Sequence, residues 1–353
     1  MLAKRVGELP DDGDWIFEPK WDGFRALVFR DGDEILIQSR DEKPLNRYFP
    51  ELLEPLRSAL PPRCVLDGEI VIVKNNGLDF DALQLRLHPA AKRVNLLAQQ
   101  TPSSFVFFDL LCLGGRDLRG EPFQTRRSEL EHLMSSAPPP IHLTPATGDR
   151  SVATDWFRRF EGAGLDGVMA KPASGTYEPN KRVMLKVKHE RDCDCVVAGF
   201  RWHKKGDGSV GSLLLGLFDD AGALQHVGVC ASFSVEKRRE LAEFLEPYRK
   251  NALAAHPWKH WADYMGAPGE GEAGPRRMPG GQSRWSQGKD LSWEPLRPEL
   301  VAEVAYEHMQ GTRFRHMSQF RRWRSDKKPS DCTYAQLEVV PAQELAAIFP
   351  QGR

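Results

Sequence analysis

No apolar run in this sequence approaches the roughly 20 residues that span a bilayer, and the opening stretch MLAKRVGELPDDGDW has no apolar core of the kind an export signal needs. Neither a membrane-spanning nor a secreted protein is expected. Cysteine is sparse, with six (Cys64, Cys112, Cys193, Cys195, Cys230 and Cys332) scattered through 353 residues. A disulfide framework would be denser, so these read as reduced thiols in a cytoplasmic protein. Cys193 and Cys195 form the one close pair. They would share a face of a strand, yet no second Cys or His pair follows at zinc spacing, so burial is their expected role. Net charge is absent too, since 49 Lys and Arg balance 49 Asp and Glu. That excludes a bulk polycation, although a local basic surface suffices for nucleic acid. No internal repeat is visible. What the chain does have is a globular composition, 41% hydrophobic and 28% charged, with 18 Phe and 9 Trp that could not all stay solvated. Its length corresponds to about two domains.

The first 190 residues mix strand and helix signals. Phe24–Arg30 (FRALVFR) and Glu34–Gln38 (EILIQ) flank Asp31-Gly32-Asp33, a hairpin signal. Cys64–Val73 and Phe105–Leu113 are further strand candidates, and Ser128–Met134 and Asp155–Glu161 look helical. From about Glu190 the pattern changes to short strands at close spacing: Val196–Phe200, Ser212–Phe218, Leu224–Val229 and Leu300–Tyr306, with a helical pattern at Glu236–Phe244. Such spacing suggests a small barrel or sandwich. Residues 251–295 are rich in Gly and Pro yet hold Trp258, Trp261, Trp285 and Trp293, and read as a long loop anchored by its tryptophans.

The sharpest chemical signal is Glu18-Pro19-Lys20-Trp21-Asp22-Gly23-Phe24-Arg25. Pro19 and Gly23 mark an irregular loop entering a strand. A lysine held there can act as a nucleophile when its amine is neutral, a state that nearby cations or a metal favour. Lys-x-Asp-Gly alone is equally a surface lysine beside a turn. In Val183–Lys188 (VMLKVK), residues 183, 185 and 187 are apolar, so Lys186 and Lys188 point together to the other face of a strand. Two adjacent ammoniums repel unless an anion lies against them, and a triphosphate is such an anion. A solvated strand face explains the same pattern. Glu69 and Asp166 are carboxylates in apolar segments, a setting that suits a hard cation shared with phosphate oxygens, or else a satisfied turn. Gly311–Lys328 carries seven Lys and Arg against one Asp, interleaved with Phe314, Phe320 and Trp323. A basic segment with aromatics fits contact with a phosphate backbone, and a run so unbalanced would be costly without anions. Arg201, Lys204 and Lys205 form a second basic patch.

Taken in order, these pieces resemble the covalent nucleotidyltransferases, which include DNA ligases, RNA ligases and mRNA capping enzymes. The matching motifs are Lys20-x-Asp-Gly23, Ser39-Arg40, Asp67-Gly68-Glu69, Phe107-Phe108-Asp109, Asp166-Gly-Val-Met-Ala-Lys171, Leu185-Lys-Val-Lys188 and Arg324-Ser-Asp326-Lys327. They cover nearly the whole chain. Asp166 stands where a Glu is usual, so it would reach a metal through a water or from a closer loop. The resemblance implies an α+β architecture: an adenylation domain of antiparallel sheets with flanking helices at 1–190, and a β-barrel OB-fold domain at 191–353. Extra modules of the NAD-dependent ligases have no counterpart, so ATP is the expected donor, with Mg²⁺ or Mn²⁺. Phe17–Arg25, Asp166–Pro172, Gly211–Gly216, Arg277–Gly280 and Ser283–Trp285 look like ATP-dependent DNA ligases, most of all the short bacterial ligase C type known from mycobacteria and related actinobacteria. Lys20 lies about twenty residues from the first residue, so no N-terminal helical DNA-binding domain is expected.

The roles carried by this resemblance are as follows. Lys20 is the nucleophile, with Lys186, Lys188, Arg324, Asp326 and Lys327 also catalytic. ATP or AMP is bound by Glu18, Lys20, Arg25, Arg40, Glu69, Phe108, Lys171, Lys186 and Lys188. Either Phe107 or Phe108 stacks on the base, and Phe108 is favoured. Metal falls to Glu69, Asp166 and Asp326. DNA falls to Arg40, Arg201, Lys204, Lys205, Arg313, Arg315 and Arg321. The expected partner is nicked duplex DNA, beside a primase-polymerase or another repair protein, for a monomer associated with the nucleoid and not with a membrane. The second domain is expected to swing about residues 188–193 between steps. Two alternatives stay open: an RNA ligase or capping guanylyltransferase, and a non-catalytic nucleic-acid-binding module.

Overall fold

A computed structural model describes residues 1–74, 77–159, 164–206, 208–259, 292–307 and 309–337. The chain divides after His189 into two compact units.

Among the described residues the first unit holds two main sheets and a two-stranded ribbon, Val73–Lys74 with Gly77–Leu78. The larger runs in the order Ile141–Leu143, Ser104–Leu113, Arg63–Val71, Phe24–Asp31, Glu34–Ser39, with Arg116–Asp117 added to Ser104–Leu113. Asp31 to Glu34 closes the expected hairpin, and Gly32 takes the left-handed conformation its turn requires. Alternation along Phe24–Asp31 decides the two faces. Ala26 and Val28 are buried in a core with Ile37, Leu66 and Leu110, under Leu52, Leu56 and Leu130 from the helical segments. Arg25 and Leu27 therefore point to the opposite face. The smaller sheet has the order Leu2–Val6, Arg182–Val187, Val168–Pro172, Trp15–Pro19.

The expectation from sequence of antiparallel sheets holds only in part. Leu2–Val6 runs parallel to Arg182–Val187, and Ile141–Leu143 parallel to Ser104–Leu113. Partners far apart in sequence allow parallel pairing, and a local pattern does not reveal it. Helices Phe123–Met134 and Arg150–Arg159 begin earlier than the sequence signal suggested. The second follows Asp149, whose carboxylate accepts from the Ser151 N–H at 2.7 Å.

The second unit is a five-stranded sheet in the order Leu224–Cys230, Val210–Phe218, Arg191–Trp202, Glu294–Tyr306, Gln319–Trp323. Its strands are longer than their apolar centres. Helix Val235–Arg249 is capped by Ser234, whose hydroxyl accepts from the Lys237 N–H, and buries Leu241 and Leu245 in the unit's core. Cys193, Cys195, Cys230 and Cys332 are buried in that core, and all six cysteines are free. Among the described residues no group of three metal-ligating side chains forms and no helix is long and apolar enough to cross a membrane. Of the long Trp-bearing loop, Trp258 and Trp293 are buried, whereas Trp261, Trp285 and the 277–285 motifs lie outside the described residues.

Candidate active site

Lys20 follows the strand Trp15–Pro19, and its backbone is clamped from both sides. The Lys20 N–H donates to Gly167 O at 2.8 Å, and the Asp166 N–H donates to Lys20 O at 2.9 Å. Gly167 permits this approach. It sits at φ +124°, and a Cβ there would come within 2.0 Å of Val187 O. Asp22-Gly23 leads into the strand Phe24–Asp31. A Cβ at Gly23 would lie 2.2 Å from Ile70 O, so this position too requires glycine. Trp21 fixes the loop, burying its ring and donating from Nε1 to Thr144 Oγ1 at 2.8 Å.

The clamp brings three charges together. Lys20 Nζ lies 2.5 Å and Lys188 Nζ 3.0 Å from the same oxygen, Asp166 Oδ2. Burial pushes the Asp166 carboxyl up, but Lys20 and Lys188 outweigh it and hold the group below the usual carboxylate range. A cavity of about 340 Å³ opens beside Lys20, with Arg25, Arg40, Glu69, Phe108, Met184 and Lys186 among its walls. Met184 and Lys186 face this cavity, while Leu185 and Val187 pack with Phe17 and Val168. The strand's alternation thus gives one apolar face and one cationic face.

Glu69 stands on the same cavity wall. It accepts from the Gly23 N–H at 3.2 Å. Burial pushes its carboxyl up to about 7, against the opposing pull of Lys20 and Arg25. Arg25 lies opposite Glu69 in the strand register and reaches diagonally to Asp67. Its Nε is 3.0 Å from Asp67 Oδ1 and its Nη2 2.5 Å from Oδ2, a bidentate pair. Burial disfavours the Arg25 charge, but Asp67 more than restores it. Tyr177 adds a hydroxyl that donates to Asp67 Oδ2 at 2.9 Å.

The two aromatic candidates separate cleanly. Phe107 lies in the core, stacked on Phe105 with centroids 4.5 Å apart. Phe108 lines the cavity. Between Ser104–Leu113 and Arg63–Val71 the register slips, pairing Asp67 with Asp109 but Gly68 with Phe107. Phe108 is the extra residue of that bulge, which re-aims a side chain next to a site. Lys171 Nζ lies 4.6 Å from the centre of the Phe108 ring and donates to Phe108 O at 3.2 Å.

Glu18 and Lys171 line the cavity, but each largely satisfies the other. Lys171 Nζ is 2.7 Å from Glu18 Oε2, and Arg127 Nη1 is 3.4 Å from Oε1. Burial raises the Glu18 carboxyl despite these two cations. Arg40 is exposed at the cavity rim, 4.0 Å from Asp41.

The remaining sequence candidates belong to the second unit. Arg324 is surrounded by carboxylates from Asp194, Glu303 and Asp326, and Lys327 Nζ is 3.8 Å from Asp194. Arg321 pairs with Glu190 at 2.7 Å and Asp192 at 3.4 Å, and Arg313 contacts His226. Arg315 is half-buried, while Lys204 and Lys205 are exposed and Arg201 is partly buried. Several cations of the 311–328 run thus find a counter-charge outside the segment, on Glu190, Asp192, Asp194 and Glu303, which a count along the segment misses. The three metal candidates likewise divide, with Glu69 and Asp166 in the first unit and Asp326 in the second.

Sequence reasoning missed five supporting groups. Tyr177 and Asp67 hold Arg25, Arg127 holds Glu18, and Asp194 and Glu303 hold Arg324. Only Asp67 carried a signal, its i, i+2 spacing from Glu69 on a strand.

Comparison with known proteins gives a consistent result. Residues 1–188 match the family model described as the ATP dependent DNA ligase domain, and residues 206–327 the ATP dependent DNA ligase C terminal region. The chain is 54% identical over 341 residues to a protein named DNA ligase C2 from Mycolicibacterium smegmatis, covering 97% of this chain and 94% of that one. It is 51% identical to DNA ligase C of Mycobacterium tuberculosis over 354 residues, covering 99% and 96%. It is also 30% identical over 321 residues to the multifunctional non-homologous end joining DNA repair protein LigD of M. tuberculosis, covering 90% of this chain and 37% of that one. A solved structure from work on Lig E DNA ligases superposes with a TM-score of 0.53 at 17% identity, covering 92% and 100%, which is a likeness of fold.

Proposed function

The chain belongs to the ATP-dependent DNA ligase family, and we propose that it seals 5′-phosphate/3′-hydroxyl nicks in duplex DNA through a lysyl-AMP intermediate on Lys20. The observation that carries this reading is Lys20 at the wall of a nucleotide-sized cavity, its ammonium on a carboxylate shared with Lys188.

In the first step Lys20 Nζ, having lost a proton, attacks the α-phosphorus of ATP. An N–P bond forms, the α–β P–O bond breaks, and pyrophosphate leaves. Asp166 orients both lysines, and Lys186 and Lys188 stabilise charge on the α-phosphate. The adenine ring lies against Phe108, and Arg25, locked by Asp67 and the Met1 carbonyl, lines the cavity beside it. Arg324 and Lys327 meet the β- and γ-phosphates, with Asp326 turned toward the metal. In the second step the 5′-phosphate of the nick takes AMP from Lys20. In the third the 3′-hydroxyl attacks that phosphate and AMP leaves, with Arg40 holding a nick phosphate.

Glu69 fits a divalent cation, because a half-buried carboxylate at the cavity wall, lifted to about 7, gains from a hard cation that keeps it ionised. Mg²⁺ there would supply Lewis-acid polarisation of the phosphoryl oxygens. Asp166, already carrying two ammoniums, fits less well. The strand order of the second unit and the isolated parallel bridge from Cys230 to Ser318 support a five-stranded, partly open OB-type barrel. A repair role is supported by the likeness to the repair protein LigD.

The test is intact mass after incubation with Mg²⁺ and ATP, GTP or NAD in parallel. A gain of one AMP from ATP alone, absent in Lys20→Ala and lost on adding nicked duplex DNA, is expected. A gain of GMP would move the protein to the capping enzymes. No gain from protein first stripped with pyrophosphate would overturn the catalytic reading.

A further inference from the structure

Asp194 and Glu303 face each other directly across the antiparallel pair Arg191–Trp202 and Glu294–Tyr306. Two carboxylates so opposed repel and weaken a sheet unless a cation joins them. Arg324 joins the two, while Arg322 also holds Glu303, with Nη2 2.8 Å from Oε2. The Arg324 Nη1 lies 3.0 and 3.1 Å from the two Asp194 oxygens and 3.1 Å from Glu303 Oε2. The other edge of the guanidinium makes a fork, with Nε 2.9 Å and Nη2 2.8 Å from the two oxygens of Asp326.

The three acids differ in kind. Asp194 and Glu303 are 13% and 19% exposed, whereas Asp326 is 63% exposed. Asp194 is fixed through its main chain as well. Its N–H donates to Gln336 Oε1 at 2.8 Å, and Gln336 Nε2 donates back to Asp194 O at 2.9 Å. Nη1 is thus held by partners built into the sheet. The Nε/Nη2 edge is held by a solvent-exposed carboxylate, whose two oxygens present the geometry that a phosphate also presents.

We propose that Asp194 and Glu303 are positioning residues that grip Arg324 by Nη1, so that its Nε/Nη2 edge exchanges Asp326 for oxygens of the nucleotide's β- or γ-phosphate. This rests on the reading that Arg324 serves lysyl-AMP formation. Asp326 is the placeholder for that phosphate, and the carboxylate pair keeps the fork aimed once Asp326 departs.

The experiment uses the full chain with Asp194→Asn, Asp194→Glu, Arg324→Ala and the Asp194→Asn/Arg324→Ala pair. Single-turnover lysyl-AMP formation is measured across ATP concentration, and sealing of a pre-adenylylated nick is measured on the same preparations. Asn keeps the main-chain bonds to Gln336, and the sealing assay reports whether the variant is folded. Asp194→Asn should slow lysyl-AMP formation at saturating ATP by at least about 10-fold while sealing stays within about twofold of wild type. Asp194→Glu should recover part of the loss, and Asp194→Asn should add little to Arg324→Ala. Equal loss in both assays, no loss in the first, or a full additional loss on top of Arg324→Ala would overturn the positioning role. Normal lysyl-AMP formation by Arg324→Ala would remove Arg324 from the first step and this role with it, while leaving the Lys20 labelling result intact.

Discussion

Replacing Glu69 by Gln isolates the energetic cost of the proposed site. The wild-type carboxyl is half-buried in the cavity wall and lifted from an ordinary 4.5 to about 7, chiefly by burial. An acid raised on folding stabilises the native state below its unfolded value and loses that contribution as pH rises through the folded one. Here the window runs from about pH 4.5 to 7. At pH 8 the ionised group costs the fold about 3 kcal/mol relative to a neutral isostere, and at pH 5.5 about 1.4 kcal/mol. Gln avoids this cost at every pH and can still accept from the Gly23 N–H, whose present bond is 3.2 Å. Glu69→Gln should therefore be more stable than wild type at pH 8, by an amount that grows by about 2 kcal/mol between pH 5.5 and 8. Urea unfolding of both proteins at both pH values measures this double difference, in which all other titrating groups cancel. The same variant should lose lysyl-AMP formation, because the carboxylate proposed to hold the cation is gone. A variant no more stable than wild type at pH 8, or a gap independent of pH, would refute the claim that burial strains Glu69.

Other expected outcomes follow from single contacts. Asp166→Asn should reduce lysyl-AMP formation at least about 10-fold, read by intact mass, because it releases both Lys20 and Lys188. Since Asp166 is held below the usual carboxylate range, the wild type should keep that ion-pair contribution above about pH 4 and lose it on further acidification, and the variant should lack this acid-dependent part. Gly167→Ala should abolish labelling, because its Cβ would meet Val187 O at 2.0 Å and push apart the Lys20 clamp. Arg126→Met should lower stability by about 3–5 kcal/mol in urea unfolding, since it leaves the fully buried Asp109 without the fork of 2.8 and 2.9 Å bonds. Trp21→Phe should cost about 1–3 kcal/mol by the same assay, through the orphaned Thr144 hydroxyl.

The parts legible in the sequence are those whose signals are local. Apolar alternation located Phe24–Asp31 and Arg182–Val187, and Asp-Gly located the hairpin between Phe24–Asp31 and Glu34–Ser39. Ordered motifs located Lys20, Glu69, Asp166 and Lys188, which meet because Lys20 is bonded through its backbone to 166–167. What stayed hidden depends on pairings between distant strands. The parallel partner of Arg182–Val187 is Leu2–Val6, and nothing near either segment announces the other. Asp194 and Glu303 become a cation site only when the register sets them opposite. Alternation already sets Phe107 and Phe108 on opposite faces, but the bulge at Phe108 requires one residue more there on Ser104–Leu113 than on Arg63–Val71, and neither strand shows this alone.

These hidden pairings explain how one cavity holds so many charges. Ion pairs such as Arg25–Asp67, Lys171–Glu18 and Arg126–Asp109 add little net stability, because desolvation offsets their attraction. Their effect is directional. A guanidinium forked onto Asp67 cannot rotate, so the donors it still has face one way. A lysine locked between Glu18 and the Phe108 carbonyl stays beside the Phe108 ring and supports it from the protein side. Fixed pairs of this kind leave the geometry of Lys20, Lys186 and Lys188 to be set by the strand and the Asp166 clamp rather than by mutual repulsion. Glu69 differs, because among the described residues no ion pair lies on it, and its carboxyl is lifted to about 7. An incoming cation and phosphate therefore act strongly on this carboxylate, and the labelling and stability effects of Glu69→Gln should appear in the same variant with opposite signs.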